Sequence, residues 1–89
     1  MPIRRRVIVH GRVQGVGFRV TVARAALTRQ VAGWVRNRPD GAVEVLLEGE
    51  AEPVESLLRL CREGPRGASV TRVETVGEEP EGLSGFEIR

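Results

Sequence analysis

Apolar positions along this chain recur every second residue in some stretches and every third or fourth in others, and the alternation between the two spacings outlines the elements. Ile3 to His10 is β-branched and basic, and from Arg6 the pattern of Val7 and Val9 against Ile8 and His10 predicts a buried strand. GRVQGVGF then breaks any period and reads as a loop. From Phe18 to about Arg29, FRVTVARAALTR has no glycine or proline and is rich in Ala, Leu and Arg, which predicts a helix despite the β-branched residues near its start. Val22, Ala25, Ala26 and Leu27 are its expected buried stripe, with Arg24 and Thr28 solvated on the other side. Arg19 breaks the pattern. Its neighbours at i+3, i+4 and i+7 are Val22, Ala23 and Ala26, so a charge starts above the apolar face.

VAGWVRN (31–37), the turn RPDG (38–41) and AVEVLLEG (42–49) predict a hairpin, because proline presets φ and glycine accepts a positive φ at the turn. Val43, Val45 and Leu47 alternate with Glu44, Leu46 and Glu48, so one face of the second strand is expected in the core. Val54, Leu57, Leu58 and Cys61 then fall at i, i+3, i+4 and i+7, predicting a second helix with Pro53 near its start and Gly64-Pro65 as its stop. Between Ala68 and Val76 the valines at 70, 73 and 76 do not alternate strictly, which predicts a strand with a bulge or irregular register. After the polar loop GEEPEGLSG, FEIR closes the chain with Phe86 and Ile88 on one strand face. The order is βαββαβ plus a short last strand, an α+β sandwich with two helices on one face of an antiparallel sheet.

Length and composition narrow this further. The 89 residues, 40% hydrophobic and 29% charged, fit one globular domain spanning residues 1–89 and are too few for two cores. No apolar run approaches a membrane span, and MPIRRRVIVHG lacks the pattern of a signal peptide, so a cytoplasmic protein away from the membrane is expected. Cys61 is the single cysteine, which leaves no intramolecular disulfide and no cysteine metal cluster. Residues 1–38 carry nine arginines and no acid, and residues 39–89 carry five arginines and all twelve acids. Such segregation favours an anionic partner near the front half. There is no lysine or tyrosine, and His10, Asn37 and Asp40 are each the only residue of their kind. Schiff-base chemistry is excluded, and Ser-His-Asp or paired-Asp constellations would need those singletons to converge.

The loop supplies the remaining chemistry. Glycines at 11, 15 and 17 allow a tight turn that gathers backbone N–H groups around an anion, and the helix behind them adds its own free N–H groups and its dipole. Glycine loops before helices are commonly plain turns; the charge segregation and Arg19 favour an anion site here, with the guanidinium gripping phosphate oxygens in two-pronged fashion. It is neither a P-loop nor a dinucleotide fingerprint, since the lysine of the one and the glycine spacing of the other are missing. In a split βαβ unit the first two strands run parallel, so Asn37 meets this loop. There it is either an ordinary turn residue or an amide that holds a water. His10 at a strand end reads as structural before catalytic, Cys61 as core, Trp34 as a packing or rim residue, and Arg4, Arg5 and Arg6 as a solvated strand edge before a binding patch.

GRVQGVGFR followed by GWVRNRPDG resembles the acylphosphatase family, and the likeness extends through LLRLCREGP to the terminal FEIR, covering essentially the whole chain. The resemblance implies a ferredoxin-like α/β sandwich that hydrolyses the carboxyl-phosphate bond of a small acyl phosphate, with no metal and no cofactor. It also implies that Arg19 binds the phosphoryl group, that Asn37 positions the attacking water, and that the backbone of Gln14, Gly15, Val16, Gly17, Phe18 and Arg19 cradles the phosphate. A monomer with no nucleic-acid partner is expected. Two positions depart from the family pattern: Val20 stands where an aromatic often follows the arginine, and Gln30 stands where a glycine would ease a left-handed helix cap. Two other classes are compatible with the element order. An RNA-binding module is disfavoured by two Phe, one Trp and no Tyr, too few aromatics for a stacking platform. A non-catalytic regulatory domain is less natural for a chain that begins with Met and ends at its last strand.

Overall fold

The computed structural model describes residues 1–89. The elements follow as β1 (Pro2–Arg12), α1 (Phe18–Thr28), β2 (Ala32–Asn37), β3 (Val43–Glu50), α2 (Ala51–Glu63), β4 (Ser69–Glu78) and β5 (Phe86–Ile88). They form one sheet in the order β4-β1-β3-β2-β5. β3 pairs antiparallel with β1 and β2, β4 pairs antiparallel with β1, and β5 adds the one parallel pairing, alongside β2. Because β1 and β2 both oppose β3, they run in the same direction and end at the same edge of the sheet.

Val7, Val9, Val35, Val43, Val45 and Leu47 line the inner face, where Phe18, Val22 and Ala26 of α1 and Val54, Leu57, Leu58 and Cys61 of α2 meet them. Burying each such side chain contributes about 1.5–3 kcal/mol. An exposed ion pair contributes roughly 0–1 kcal/mol, so the helix–sheet interface carries the stability. α2 buries the stripe expected of it. α1 does not: Leu27 is 62% exposed, and Phe18 and Ala23 take the place expected of Ala25 and Leu27. The helix is rotated so that residue 18, its first, enters the core.

β1 extends past His10 through Gly11 and Arg12, beyond the expected end, and the irregularity anticipated in β4 lies opposite His10 and Gly11, where the register shifts. Gly11 has φ +122°, and a Cβ there would stand 2.1 Å from the Ser69 carbonyl oxygen, so only glycine lets β4 approach this closely.

The outer face of the sheet departs most from expectation. Like the inner residues of β3, Glu44, Leu46 and Glu48 are buried, with only 2–7% of their surface exposed. Arginines from both flanking strands lie over them. Glu44 accepts from Arg6 at 2.7 Å and from Arg36 at 2.7 Å, and Glu78 accepts from Arg6 at 2.7 Å and Arg4 at 2.9 Å. Trp34 lies beneath the guanidinium groups of Arg6, Arg36 and Arg89, the nearest 4.9 Å from the ring centroid. The segment between β4 and β5 crosses this face as a strap, and the Glu48 carboxylate accepts hydrogen bonds from three consecutive amides, Glu81, Gly82 and Leu83, at 2.7–2.9 Å. Much of the positive field expected of the front half is therefore neutralised across the sheet by acids of the back half. No helix is long and apolar enough to cross a membrane.

Candidate active site

The common edge of β1 and β2 carries a recess of about 100 Å³ lined by Val13, Gly15, Gly17, Phe18, Arg19, Val20 and Asn37. Each wall has a local cause. Gly15 and Gly17 take φ values of +74° and +78°, which turn the chain back on itself at little steric cost, and no atom lies within 4 Å of where their Cβ atoms would be. Gly17 is also the N-cap residue, immediately before α1. It provides no side-chain cap, and the first turn holds no acid, so the amides there are left for an external acceptor. The amides of Gln14, Gly15, Val16 and Gly17 likewise have no acceptor within the protein.

Arg19 and Asn37 reach this recess from different elements. Arg19 is half-buried and forms no ion pair with an Asp or Glu side chain; its one hydrogen bond runs from Nη1 to the main-chain oxygen of Arg89 at 3.2 Å. The residue just after β5 thus supplies an acceptor that holds the guanidinium near the loop while most of its N–H groups stay free. Asn37 is half-buried at the end of β2, and its carboxamide makes no hydrogen bond within the protein. Arg19, Asn37, Gly15, Gly17 and Phe18 all line this recess, whereas Gln14 and Val16 of the same loop are not among its lining residues and the other singletons lie elsewhere. His10 turns to the outer face, its Nε2 2.5 Å from a Glu74 oxygen, and is not among the residues lining the recess. Cys61 is fully buried, and desolvation pushes its thiol up to about 12, which makes it unreactive. Arg4 and Arg6 are tied to Glu48, Glu44 and Glu78, and Arg5 donates to the Arg4 carbonyl.

A larger, open depression of about 670 Å³ lies at the opposite edge, between Met1, Arg29, Glu50, Glu52 and Arg59. Its acids and bases are mixed, and the start of α2 that borders it already carries Glu52 in its first turn, so the small recess, where the first turn of the helix holds no acid, is the better anion site. Gln14 can be read from the sequence as a loop-shaping or amide-donating residue, but not with its partners: its side chain donates to two backbone carbonyls of the β2–β3 turn. A polar residue between Val13 and Gly15 in a glycine loop was the available signal, but its partners are 24 and 28 residues away.

Residues 5–88 match the acylphosphatase family model. The chain belongs to the acylphosphatase family. It is 52% identical to an acylphosphatase of Thermococcus kodakarensis over 97% of its own length and 94% of the relative's. Among solved structures it is similar to the acylphosphatase of Bacillus subtilis, with TM-score 0.93, 41% identity and 98% of each chain covered. The acylphosphatase of Coxiella burnetii also superposes with TM-score 0.93, at 36% identity, over 99% of this chain and 93% of that one. These acylphosphatases share the ferredoxin-like arrangement of two helices on one sheet.

Proposed function

We propose that this chain hydrolyses the carboxyl-phosphate bond of small acyl phosphates, with Arg19 and Asn37 as its catalytic residues. The observation that carries the reading is that both side chains line one recess bordered by unpartnered backbone amides. The amides of Gln14, Gly15, Val16, Gly17, Phe18 and Arg19 and the Arg19 guanidinium hold the phosphoryl oxygens and stabilise the charge that gathers on them as the bond to the acyl oxygen loosens. Asn37 orients a water in line with the departing carboxylate. That leaving group is stable as an anion, so no general acid is needed, and a phosphoryl oxygen takes the water's proton. The reaction as proposed calls for no metal ion and no cofactor. A single-domain, monomeric, cytoplasmic enzyme acting on a small molecule, without a nucleic-acid partner, completes the proposal.

The test is hydrolysis of benzoyl phosphate in EDTA by the wild type and by folded Arg19→Gln and Asn37→Ala variants. Each substitution is expected to lower kcat/KM by about 10²-fold or more. Wild-type turnover no faster than spontaneous hydrolysis would overturn the reading. Full activity in Asn37→Ala would remove that residue from the mechanism.

A further inference from the structure

The phosphate-cradling loop and the Asn37 turn belong to separate parts of the chain, yet an in-line attack requires their spacing to hold within a few tenths of an ångström. The structure contains one hydrogen-bonded link between them. Gln14 Nε2 donates to the Arg38 carbonyl oxygen at 2.8 Å and to the Ala42 carbonyl oxygen at 3.0 Å. No other hydrogen bond joins residues 13–18 to residues 37–42. The acceptors stand on the two sides of the turn, and Arg38 directly follows Asn37. Arg38 N also donates to Ala42 O at 2.8 Å and Gly41 N to Arg38 O at 3.1 Å, so the Gln14 amide joins an already closed ring of hydrogen bonds. The Asp40 carboxylate braces the same turn, accepting from Ala42 N at 3.0 Å and from Arg38 Nη2 at 2.8 Å.

The chemistry of the link is restrictive. Two carbonyl acceptors require two N–H donors on one nitrogen at the reach of a glutamine side chain, and both donors are used. Both partners being acceptors also fixes which end of the carboxamide faces the turn. A glutamate of the same size would set an anion against two carbonyl oxygens, and a methionine would fill the volume with no donor.

We propose that the Gln14 side chain is a positioning residue: it locks the distance between the phosphoryl cradle and Asn37, and so aligns the water without touching substrate. The proposal rests on the catalytic reading above. It predicts a loss confined to kcat that depends on Asn37 being present.

The experiment measures kcat and KM for benzoyl phosphate, and competitive inhibition by inorganic phosphate as a probe of the cradle, in Gln14→Met, Gln14→Glu, Asn37→Ala and the Gln14→Met/Asn37→Ala double variant. Gln14→Met is expected to lower kcat about tenfold and to leave phosphate inhibition within about threefold of wild type. Gln14→Glu should lose more than Gln14→Met. In the Asn37→Ala background the same Gln14→Met change should cost less than about twofold, because the group it positions is already gone. A full tenfold loss in that background, or wild-type kcat in Gln14→Met, overturns the proposal. Hydrogen exchange at the Arg38 and Gly41 amides gives a readout independent of turnover. If the wild type proves inactive, the catalytic reading fails, while exchange about tenfold faster in Gln14→Met still upholds the link; unchanged exchange refutes it.

Discussion

Gln30 holds φ +56°, the one non-glycine residue with positive φ, at the point where α1 gives way to β2. A Cβ in the left-handed region costs about 1–2 kcal/mol, which glycine avoids while giving up some chain entropy on folding. Gln30→Gly is therefore expected to raise stability by about 0.5–1 kcal/mol in urea unfolding, and a lower midpoint would show that the side chain earns its place through some other contact. This strain was visible in the sequence as a missing glycine after a helix. Arg19 was visible in the same way, as a charge on an apolar spacing. Gln14 was visible only as a candidate loop-shaping residue, because a carboxamide in a loop reveals its role through what it touches, and here it touches main chain far along the sequence.

At the level of elements, periodicity gave both helices and the hairpin, and it failed where burial comes from partners rather than from apolarity. The alternation in β3 implied a solvated face bearing Glu44 and Glu48, but cross-strand arginines and the strap cover that face. Burial alone would push the Glu48 carboxyl up; the amides of Glu81, Leu83 and Gly82 and the Arg4 guanidinium outweigh it and hold the group below the usual carboxylate range. Glu48→Gln keeps the shape but sets an NH₂ or a weaker acceptor against three amides. A loss of about 2 kcal/mol is expected, together with new protease cleavage between residues 79 and 85. An intact strap in that variant would mean that β5 pairing alone anchors the segment. Since Arg89, whose main-chain oxygen receives Arg19, directly follows β5, activity should weaken alongside.

For the molecule as a whole, the outer lattice links stability to acidity. Hydrogen bonds from Arg6 and Arg4 lower the Glu78 carboxyl, and Glu44 is lowered by Arg36 and Arg6 in spite of its burial. Folded carboxyls with lowered values bind protons less readily than unfolded ones, so their contribution is complete above the unfolded range, about pH 4.3 for glutamate, and is lost as pH falls through the folded values. Denaturation midpoints should hold level near neutrality and decline below about pH 4.5. A midpoint unchanged down to about pH 3 would show that the lattice is energetically silent.

The strand order also has a consequence in time. β4 and β1 are neighbours although Arg4 and its partner Glu78 stand 74 residues apart, and β5 reaches β2 only after the strap has crossed the sheet. Nearly the whole chain must be ordered before these pairings return any free energy. The molecule should therefore fold slowly for its size, on a timescale of about milliseconds to seconds. A refolding chain would show helix early and hydrolysis last, since the main-chain oxygen that steadies Arg19 belongs to the residue just after the final strand to dock.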